Sequence, residues 1–205
     1  MSYAQFQEDL AVIRYFGPSF RGRFLDLGAF DGKTRSNTLF LAEQGWSGVA
    51  VDASWEVVPK VLKAFEKYPV EFLNAAVGVK RGIIEFFDCP QANLSTCSGD
   101  LVRRTPTSRK DSRKRNVACV TVGDIIEAFP GPFDFFSIDL EGVTFSVLKS
   151  VPFSRLGCRM VCTEHFVKPY VDVDEKPLME AYMSSIGFKL SEANPSNLLF
   201  VRDLK

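Results

Sequence analysis

The sequence lacks the features of membrane, secreted and zinc-binding proteins. No apolar run is long enough to cross a bilayer, and residues 1–10 contain no basic stretch followed by an apolar core, so we expect neither a membrane span nor a secretory signal. The five cysteines are odd in number, and no two of them have C-x-x-C spacing. We therefore expect reduced thiols in a cytoplasmic protein and no zinc site.

The chain also lacks a net charge. It has 25 basic and 25 acidic side chains, so there is no overall attraction to nucleic acid or to a membrane surface. Its 205 residues, of which 46% are hydrophobic and 24% charged, are enough for one α/β unit with a sizeable core. We expect a single domain over residues 1–205, without internal repeats or linkers.

Helical and strand patterns alternate along the chain, which is typical of a mainly parallel sheet covered on both faces. An amphipathic helix over residues 3–16 opens the fold, and a turn at residues 194–197 joins two final strands that must be antiparallel. The remaining strands are expected near Asp26 and at residues 48–51, 70–77, 83–87, 117–122, 133–138 and 159–163. Helices are expected after residues 36–37 and at 57–65, 124–129, 144–151 and 177–186. Leu62 is expected to face inward, and Leu178, Tyr182 and Ile186 are expected on one face of the last helix.

Four of these strands end in acidic side chains, namely Asp26, Asp52, Asp139 and Glu164. The carboxyl ends of parallel strands line one crevice, and ligands bind there in doubly wound sheets. Clustered carboxylates repel one another, so a purely structural sheet gains little from such a rim. The sequence therefore predicts a ligand site at this edge.

A glycine turn follows the first strand in the stretch Phe24–Gly32. Gly28 and Gly32 allow a sharp turn and close approach to a ligand, but their spacing lacks the G-x-G-x-x-G pattern of pyrophosphate-binding turns. This favours a nucleoside ligand without a pyrophosphate, such as S-adenosylmethionine. Asp52 lies at the distance along the chain where an acid commonly binds ribose hydroxyls, although it could instead cap the following helix.

Several ordered blocks across most of the chain resemble the FkbM-type family of S-adenosylmethionine-dependent methyltransferases. These blocks are residues 4–9, 24–32, 36–38, 45–48, 74–78 and 137–142. Three positions depart from the family pattern: Phe30 replaces the usual Asn, Asp52 stands where Glu is common, and Val143-Thr144 stands where Ala-Glu is usual. The last departure removes an acidic side chain on the substrate side.

The resemblance implies a Rossmann-like class I methyltransferase domain, with a mainly parallel seven-stranded sheet, a C-terminal antiparallel hairpin and an N-terminal helix. It further implies methyl transfer to a hydroxyl of a sugar or another small metabolite. Asp26, Gly28 and Asp31 would hold the methionine end of the cofactor, Asp52 its ribose, and residues 74–76 its adenine. The full expected cofactor site comprises Asp26, Gly28, Ala29, Asp31, Gly32, Asn37, Asp52, Ala53, Asn74, Ala75, Ala76 and Asp139.

We expect the catalytic side chains to be Asp139, Glu141, Glu164 and His165, which is the only histidine. Neutral His165 would remove the hydroxyl proton, and an adjacent carboxylate would orient its ring. Two alternatives remain: His165 is a packing residue, or Asp139, Glu164 and His165 bind Mg²⁺ or Mn²⁺, which would activate the hydroxyl. We favour the metal-free base, because these residues have no diagnostic metal spacing.

An insertion over residues 89–116 has no periodicity and contains a basic run at residues 103–115. It is either a solvated loop or a mobile lid over residues 98–115 that attracts an anionic acceptor, such as a phosphorylated or nucleotide-linked sugar. A nucleic-acid methyltransferase is a weaker alternative, because the run has no interleaved aromatic residues. A third alternative is a catalytically inactive module that only binds S-adenosylmethionine.

Overall fold

The computed structural model describes residues 1–89, 95–104, 111–165 and 174–202. Within these ranges the chain forms ten strands and eight helices. The strands are β1 Arg23–Leu27, β2 Ser47–Asp52, β3 Val70–Asn74, β4 Ala76–Val77, β5 Gly82–Asp88, β6 Arg113–Val120, β7 Phe135–Ile138, β8 Met160–Glu164, β9 Phe188–Ala193 and β10 Asn197–Arg202. The helices are α1 Glu8–Phe16, α2 Leu39–Glu43, α3 Val58–Phe65, α4 Gly99–Arg104, α5 Val122–Ala128, α6 Thr144–Leu148, α7 Phe153–Leu156 and α8 Lys176–Ser185.

The main sheet has seven strands in the order β3-β2-β1-β7-β8-β10-β9. Its first five strands are parallel, whereas β10 is antiparallel to both β8 and β9. The predicted α/β fold, with a mainly parallel sheet, a C-terminal hairpin and an N-terminal helix, is confirmed. Because β1, β2, β7 and β8 are adjacent, their carboxyl ends meet at one edge, as the rule for parallel sheets requires.

The hydrophobic core consists of two layers, one on each face of the main sheet. Phe24 packs with α1 and α2 residues on one face, while its neighbours Leu25 and Leu27 pack on the other face. All three side chains are fully buried. A strand covered on both faces needs apolar side chains at successive positions, which explains why β1 reads as an apolar run. Asp26 is therefore a polar exception held inside this core.

A second, three-stranded sheet has the order β4-β6-β5 and corrects the predicted strand over residues 70–77. The first part of that stretch pairs with β2 and ends at Asn74. Ala75 then donates its N–H to the Asp52 carbonyl, 3.0 Å away, and Ala76–Val77 pair with β6 instead. The break leaves Ala75 at the edge where β2 ends.

The predicted insertion is more ordered than its sequence suggests. Strand β6 begins at Arg113, four residues before the predicted start, and α4 was not predicted. The first residues of β6 pair with β5, and the Lys114 and Glu85 side chains form an ion pair of 2.9 Å across the two strands. Such a solvent-facing strand pair has no apolar alternation to reveal it. Residues 90–94 and 105–110 of the insertion lie outside the described ranges.

One residue in each of two predicted apolar helix faces is exposed. Leu62, which was expected to face inward, is 52% exposed, and Leu178, which was expected on one face with Tyr182 and Ile186, is 47% exposed. In α3 the buried side chains are Val61 and Phe65, which follow the buried Val57 at a spacing of four residues. In α8 the fully buried residues are Met179 and Met183. Among the described residues, no helix has the length and hydropathy needed to cross a bilayer.

Candidate functional site

A cavity of about 260 Å³ opens where β1, β2, β7 and β8 end. Side chains from all four strand ends line it, together with the residues after β7. Five of the lining residues are acidic: Asp26, Asp52, Asp139, Glu141 and Glu164. The structure thus brings the four predicted strand-end acids into one cavity.

The turn after β1 crosses the cavity floor and depends on Gly28. This residue has a φ of 92°, and a Cβ atom built on it would overlap the backbone carbonyl of Asp139. The Gly28 and Ala29 amides both donate to the Val51 carbonyl, at 2.9 and 3.0 Å. Glycine is therefore required because the turn lies directly against the backbone that follows β7. Gly28 and Ala29 both line the cavity.

Asp26 is 4% exposed and is held by the segment that precedes α2. Its carboxylate accepts a hydrogen bond of 2.6 Å from Thr38 Oγ1. Two neighbours in the same segment have other roles: Ser36 Oγ accepts the N–H of Leu39 at 3.0 Å, and Asn37 Nδ2 donates to Ser137 Oγ at 3.2 Å. Burial raises the pKa of Asp26 to about 6, although its hydrogen bonds lower it in part.

Asp52 closes the cavity at the end of β2. Its two carboxylate oxygens accept backbone N–H groups of Phe30 at 2.9 Å and of Ser54 at 2.8 Å. Burial raises the pKa of Asp52 to about 7, and these two hydrogen bonds oppose that shift. A carboxylate offers about four lone-pair sites, so two remain for a ligand. The cap alternative is not confirmed, because Asp52 bonds Ser54 in the loop, whereas α3 has Val57 as its N-cap and no side-chain cap.

Residues 74–76, predicted on the adenine side, and the predicted cofactor residue Ala53 separate into two groups. Ala53, Ala75 and Ala76 line the cavity. Asn74 does not line it; instead its Nδ2 donates to the backbone carbonyl of Asp52 at 2.9 Å. The Asn74 side chain therefore fixes the backbone that carries the acid.

Asp31 and Gly32 also lie outside the cavity lining. Asp31 accepts the N–H groups of Lys33 and Thr34 at 2.9 and 2.7 Å, which stabilises the turn after β1. A Cβ on Gly32 would lie 2.9 Å from the Phe65 ring, so this glycine allows the turn to pack against α3. Both residues therefore stabilise the turn from outside the cavity.

Three carboxylates converge on the opposite side of the cavity from Asp52. One ligand oxygen each of Asp139, Glu141 and Glu164 lies within 4.8 Å of the others. Burial raises the pKa of Asp139, while a hydrogen bond with the Glu164 carboxyl and the charge of Arg35 lower it. Asp139 and Glu164 therefore lie close enough to act together as a pair.

His165 does not join these carboxylates. It is 6% exposed, does not line the cavity, and its Nε2 lies 3.2 Å from the Asn194 carbonyl oxygen. Its backbone N–H donates to the Ser196 carbonyl at 2.9 Å. The ring therefore packs behind the β9–β10 turn, as the packing alternative expected. Glu141 takes the place that the predicted metal site assigned to His165.

Several lining residues were missed because backbone conformation places them. Phe30 and Arg35 have positive φ angles of 51° and 56° and line the cavity, as does the predicted residue Glu141, whose φ is 35°. Such conformations are uncommon outside glycine and concentrate at functional sites, but no sequence pattern reveals them at these residue types. The other lining residues that were missed include Gln5, Phe86, Thr96, Cys97, Ser137, Ser196 and Asn197.

Ser95, Thr96 and Cys97, which directly precede the predicted lid, line the cavity, whereas no described residue of the lid itself does. Leu101 of α4 is 3% exposed, and Thr96 Oγ1 donates to the Glu141 carbonyl. Several basic side chains of the run are paired: Arg103 with Asp100, Lys114 with Glu85, and Arg115 with Glu56 and Asp88. These pairs reduce the positive field expected of a lid. Arg109 and Lys110 lie outside the described residues.

The chain matches one protein family and resembles several solved structures. The family model of the methyltransferase FkbM domain matches residues 26–190. No curated protein sequence matches the chain significantly.

Solved structures with the same fold include a Methanococcus jannaschii fibrillarin pre-rRNA processing protein, with 12% identity and a TM-score of 0.52 over 99% of this chain and 76% of that chain. Another is monomeric WbdD, with 13% identity and a TM-score of 0.53 over 96% of this chain but 41% of that one. A third is a SAM-dependent methyltransferase from Agrobacterium tumefaciens, with 10% identity and a TM-score of 0.51 over 98% of this chain and 63% of that one. At these identities the likeness shows the shared fold.

Proposed function

Because this chain belongs to the FkbM-domain family of S-adenosylmethionine-dependent methyltransferases, we propose that its cavity binds S-adenosylmethionine and transfers the methyl group to a hydroxyl of a sugar or another small metabolite. One observation carries the proposal. A single cavity extends from Asp52, across the Gly28 turn, to the Asp139–Glu164 pair. It therefore joins an acid suited to ribose with carboxyl groups suited to proton removal.

The cofactor half of the proposal rests on the turn and on Asp52. The carboxylate of Asp52 is fixed by the backbone N–H groups of Phe30 and Ser54, which leaves lone pairs for the two ribose hydroxyls. Ala53, Ala75 and Ala76 supply a small, apolar wall for adenine. The methionine end would then lie between the Gly28 turn and Asp139.

The acceptor half rests on the ends of β8 and β10. Glu164 pairs directly with Asn197 across these strands, and Gln5 and Ser196 line the same side of the cavity. Amide, hydroxyl and carboxylate groups together can donate to and accept from a polyhydroxylated molecule. This mixture supports a sugar-like acceptor.

Methyl transfer needs an aligned hydroxyl and a group that takes its proton, because the sulfonium methyl is already activated. In our proposal the Asp139–Glu164 pair takes the proton, and His165 only supports the wall behind it. Glu141 lies close enough to contribute to the same charge.

A divalent metal is the alternative for these three carboxylates. Their oxygen atoms suit Mg²⁺ or Mn²⁺, and either ion would lower the pKa of a bound hydroxyl. Activity that is lost with a chelator and restored by Mg²⁺ would assign the carboxylates to a metal site. Activity that is unchanged by the chelator would support the metal-free base.

The test begins with calorimetry of S-adenosylmethionine binding. We expect Asp52→Ala to weaken binding by about 2 to 4 kcal/mol, because a charge-assisted pair of hydrogen bonds is lost. Asp31→Ala is the matched control, since Asp31 lies outside the cavity lining. Equal affinity of wild type and Asp52→Ala would refute the ribose assignment. Formation of S-adenosylhomocysteine with a panel of sugars then tests the acceptor, and its absence with every acceptor would favour the inactive module.

A further inference from the structure

The charges that line the cavity are unbalanced. Five acidic side chains face it, whereas Arg35 is the only lining residue with a positive charge in the part of the chain that the structure describes. A cavity of this kind attracts cations and repels an anionic ligand group, except near the arginine. The position of Arg35 therefore matters for any ligand that carries both signs of charge.

Arg35 lies between the Gly28 turn and α2, at the methionine side of the proposed cofactor site. Its φ of 56° is strained for a residue with a side chain, so the local backbone costs free energy to hold it there. Its charge acts on the Asp139 carboxyl across the cavity. Within the described ranges the guanidinium joins no salt bridge, so its hydrogen-bond donors remain available to a ligand.

The methionine end of S-adenosylmethionine has three charged groups within a few bonds: an ammonium, a sulfonium and a carboxylate. Asp26 and Asp139 can stabilise the two cationic groups, but they repel the carboxylate. Guanidinium groups bind carboxylates with two parallel hydrogen bonds, which makes such pairs strong and directional. The cavity thus provides one group that fits the third charge.

We propose that Arg35 binds the carboxylate of the methionine moiety and so selects a ligand with an intact amino-acid end. This inference rests on the proposed function, because it assumes that S-adenosylmethionine occupies the cavity. It assigns a role to a residue that no sequence motif indicated. The rival occupant of Arg35 is an anionic group on the methyl acceptor.

The experiment compares two ligands that differ only in this carboxylate. Calorimetry measures the affinity of S-adenosylmethionine and of decarboxylated S-adenosylmethionine for wild type, Arg35→Gln and Arg35→Lys. Lys33→Gln is the control, since it removes a positive charge from the same loop outside the cavity lining. The glutamine keeps a side chain at the strained position, so the backbone cost is matched.

We expect Arg35→Gln to bind S-adenosylmethionine about 10- to 100-fold more weakly, the range for a lost charge-assisted hydrogen bond. Its affinity for the decarboxylated ligand should stay within about 3-fold of wild type. Arg35→Lys should lie between the two, because it keeps the charge but not the paired geometry. Lys33→Gln should resemble wild type with both ligands.

Two results would overturn the inference. In one, Arg35→Gln binds both ligands as wild type does, which would leave the anionic acceptor as the partner of Arg35. In the other, Arg35→Gln weakens both ligands equally, which indicates a general effect on the loop. Failure of the proposed function looks different, since wild type itself would then bind neither ligand.

Discussion

Gly28 shows how one residue without a side chain sets the geometry of the whole site. We predict that Gly28→Ala strongly destabilises the protein, because its Cβ would overlap the Asp139 carbonyl, and neither backbone can move without disturbing β1 or β7. Gly17→Ala is a matched control: Gly17 has a φ of 91°, but nothing lies within 4 Å of its Cβ position. The control should lose about 1 to 3 kcal/mol, because at φ 91° and ψ 150° Gly17 has a backbone conformation that is largely restricted to glycine.

Urea unfolding of the two variants measures the difference. Gly28→Ala should lose at least about 2 kcal/mol more than Gly17→Ala, which is in the range of overpacked sites. Equal losses of unfolding free energy in the two variants would mean that the overlap with the Asp139 carbonyl is relieved at no cost. The close approach of the two backbones would then not explain why a glycine is needed at position 28.

The acids Asp26 and Asp52 should make stability depend on pH. Burial raises their pKa values to about 6 and about 7, whereas an unfolded aspartate has a pKa near 3.9. Between about pH 4 and 7 the folded protein therefore binds more protons than the unfolded chain. By linkage, their contribution to stability is full below about pH 4 and is lost as the pH rises through the folded pKa values.

Asp52→Asn removes one of these titrations. Wild type should lose unfolding free energy relative to this variant as the pH rises from 4 to 8. Taking the difference cancels the groups that titrate alike in both proteins. A difference that is constant over this range would contradict a raised pKa at Asp52.

At the scale of elements, sequence patterns succeeded where a strand is covered on both faces. The apolar runs of β1, β2 and β7 follow directly from that double burial, and the polar residues at their ends follow from the edge they reach. The sequence patterns failed where the pairing of a strand depends on a partner strand that is distant in sequence. The switch of Ala76–Val77 to a second sheet depends on β6, and no local signal marks it.

The N-terminal arm is tied to the β9–β10 turn by a buried acid. Glu8 is 1% exposed, and its carboxylate accepts hydrogen bonds from Asn194 Nδ2 at 2.9 Å, Asn197 Nδ2 at 2.7 Å and the Phe6 N–H at 2.8 Å. These bonds hold Gln5 and Asn197 in the cavity wall. Helix α1 and the last hairpin are thus joined at the site.

We predict that Glu8→Gln destabilises the protein by about 1 to 3 kcal/mol. Both asparagine donors bond Oε1, so a glutamine that keeps its oxygen there turns its NH2 group toward the Phe6 N–H, which loses its acceptor. Glu43→Gln is the control, because Glu43 accepts from Tyr3 of the same arm at an exposed position. It should lose less than about 1 kcal/mol. Equal losses in thermal or urea unfolding would show that burial of Glu8 adds nothing.

At the scale of the whole molecule, the edge of the sheet where the site lies was predictable, but its chemistry was only partly so. Asp26, Asp52, Asp139 and Glu164 meet because parallel strands end together, a rule that needs only the order of elements. His165 follows Glu164 directly in sequence, yet its ring turns behind the hairpin. Arg35 lines the cavity with a positive φ angle, and no sequence pattern indicates such a conformation at an arginine.

A ligand that contacts the turn after β1, the end of β2 and the residue after β7 should stabilise the entire fold, because it binds only the assembled edge. We predict that S-adenosylmethionine at 100 times its dissociation constant adds about 2.7 kcal/mol to the free energy of unfolding. For a chain of this size that corresponds to an increase in melting temperature of about 5 to 10 °C.

The increase in melting temperature should follow the contacts in a graded way. Asp52→Ala should reduce it sharply at the same ligand concentration, because the ribose contacts are lost, whereas Asp31→Ala should retain it, because Asp31 stabilises the turn from outside the cavity. Each variant is compared with its own ligand-free melting temperature, so that a change in intrinsic stability does not enter. A shift of equal size in wild type and Asp52→Ala would place the ligand elsewhere on the molecule, because only binding in this cavity makes the stabilisation depend on the acid at the end of β2.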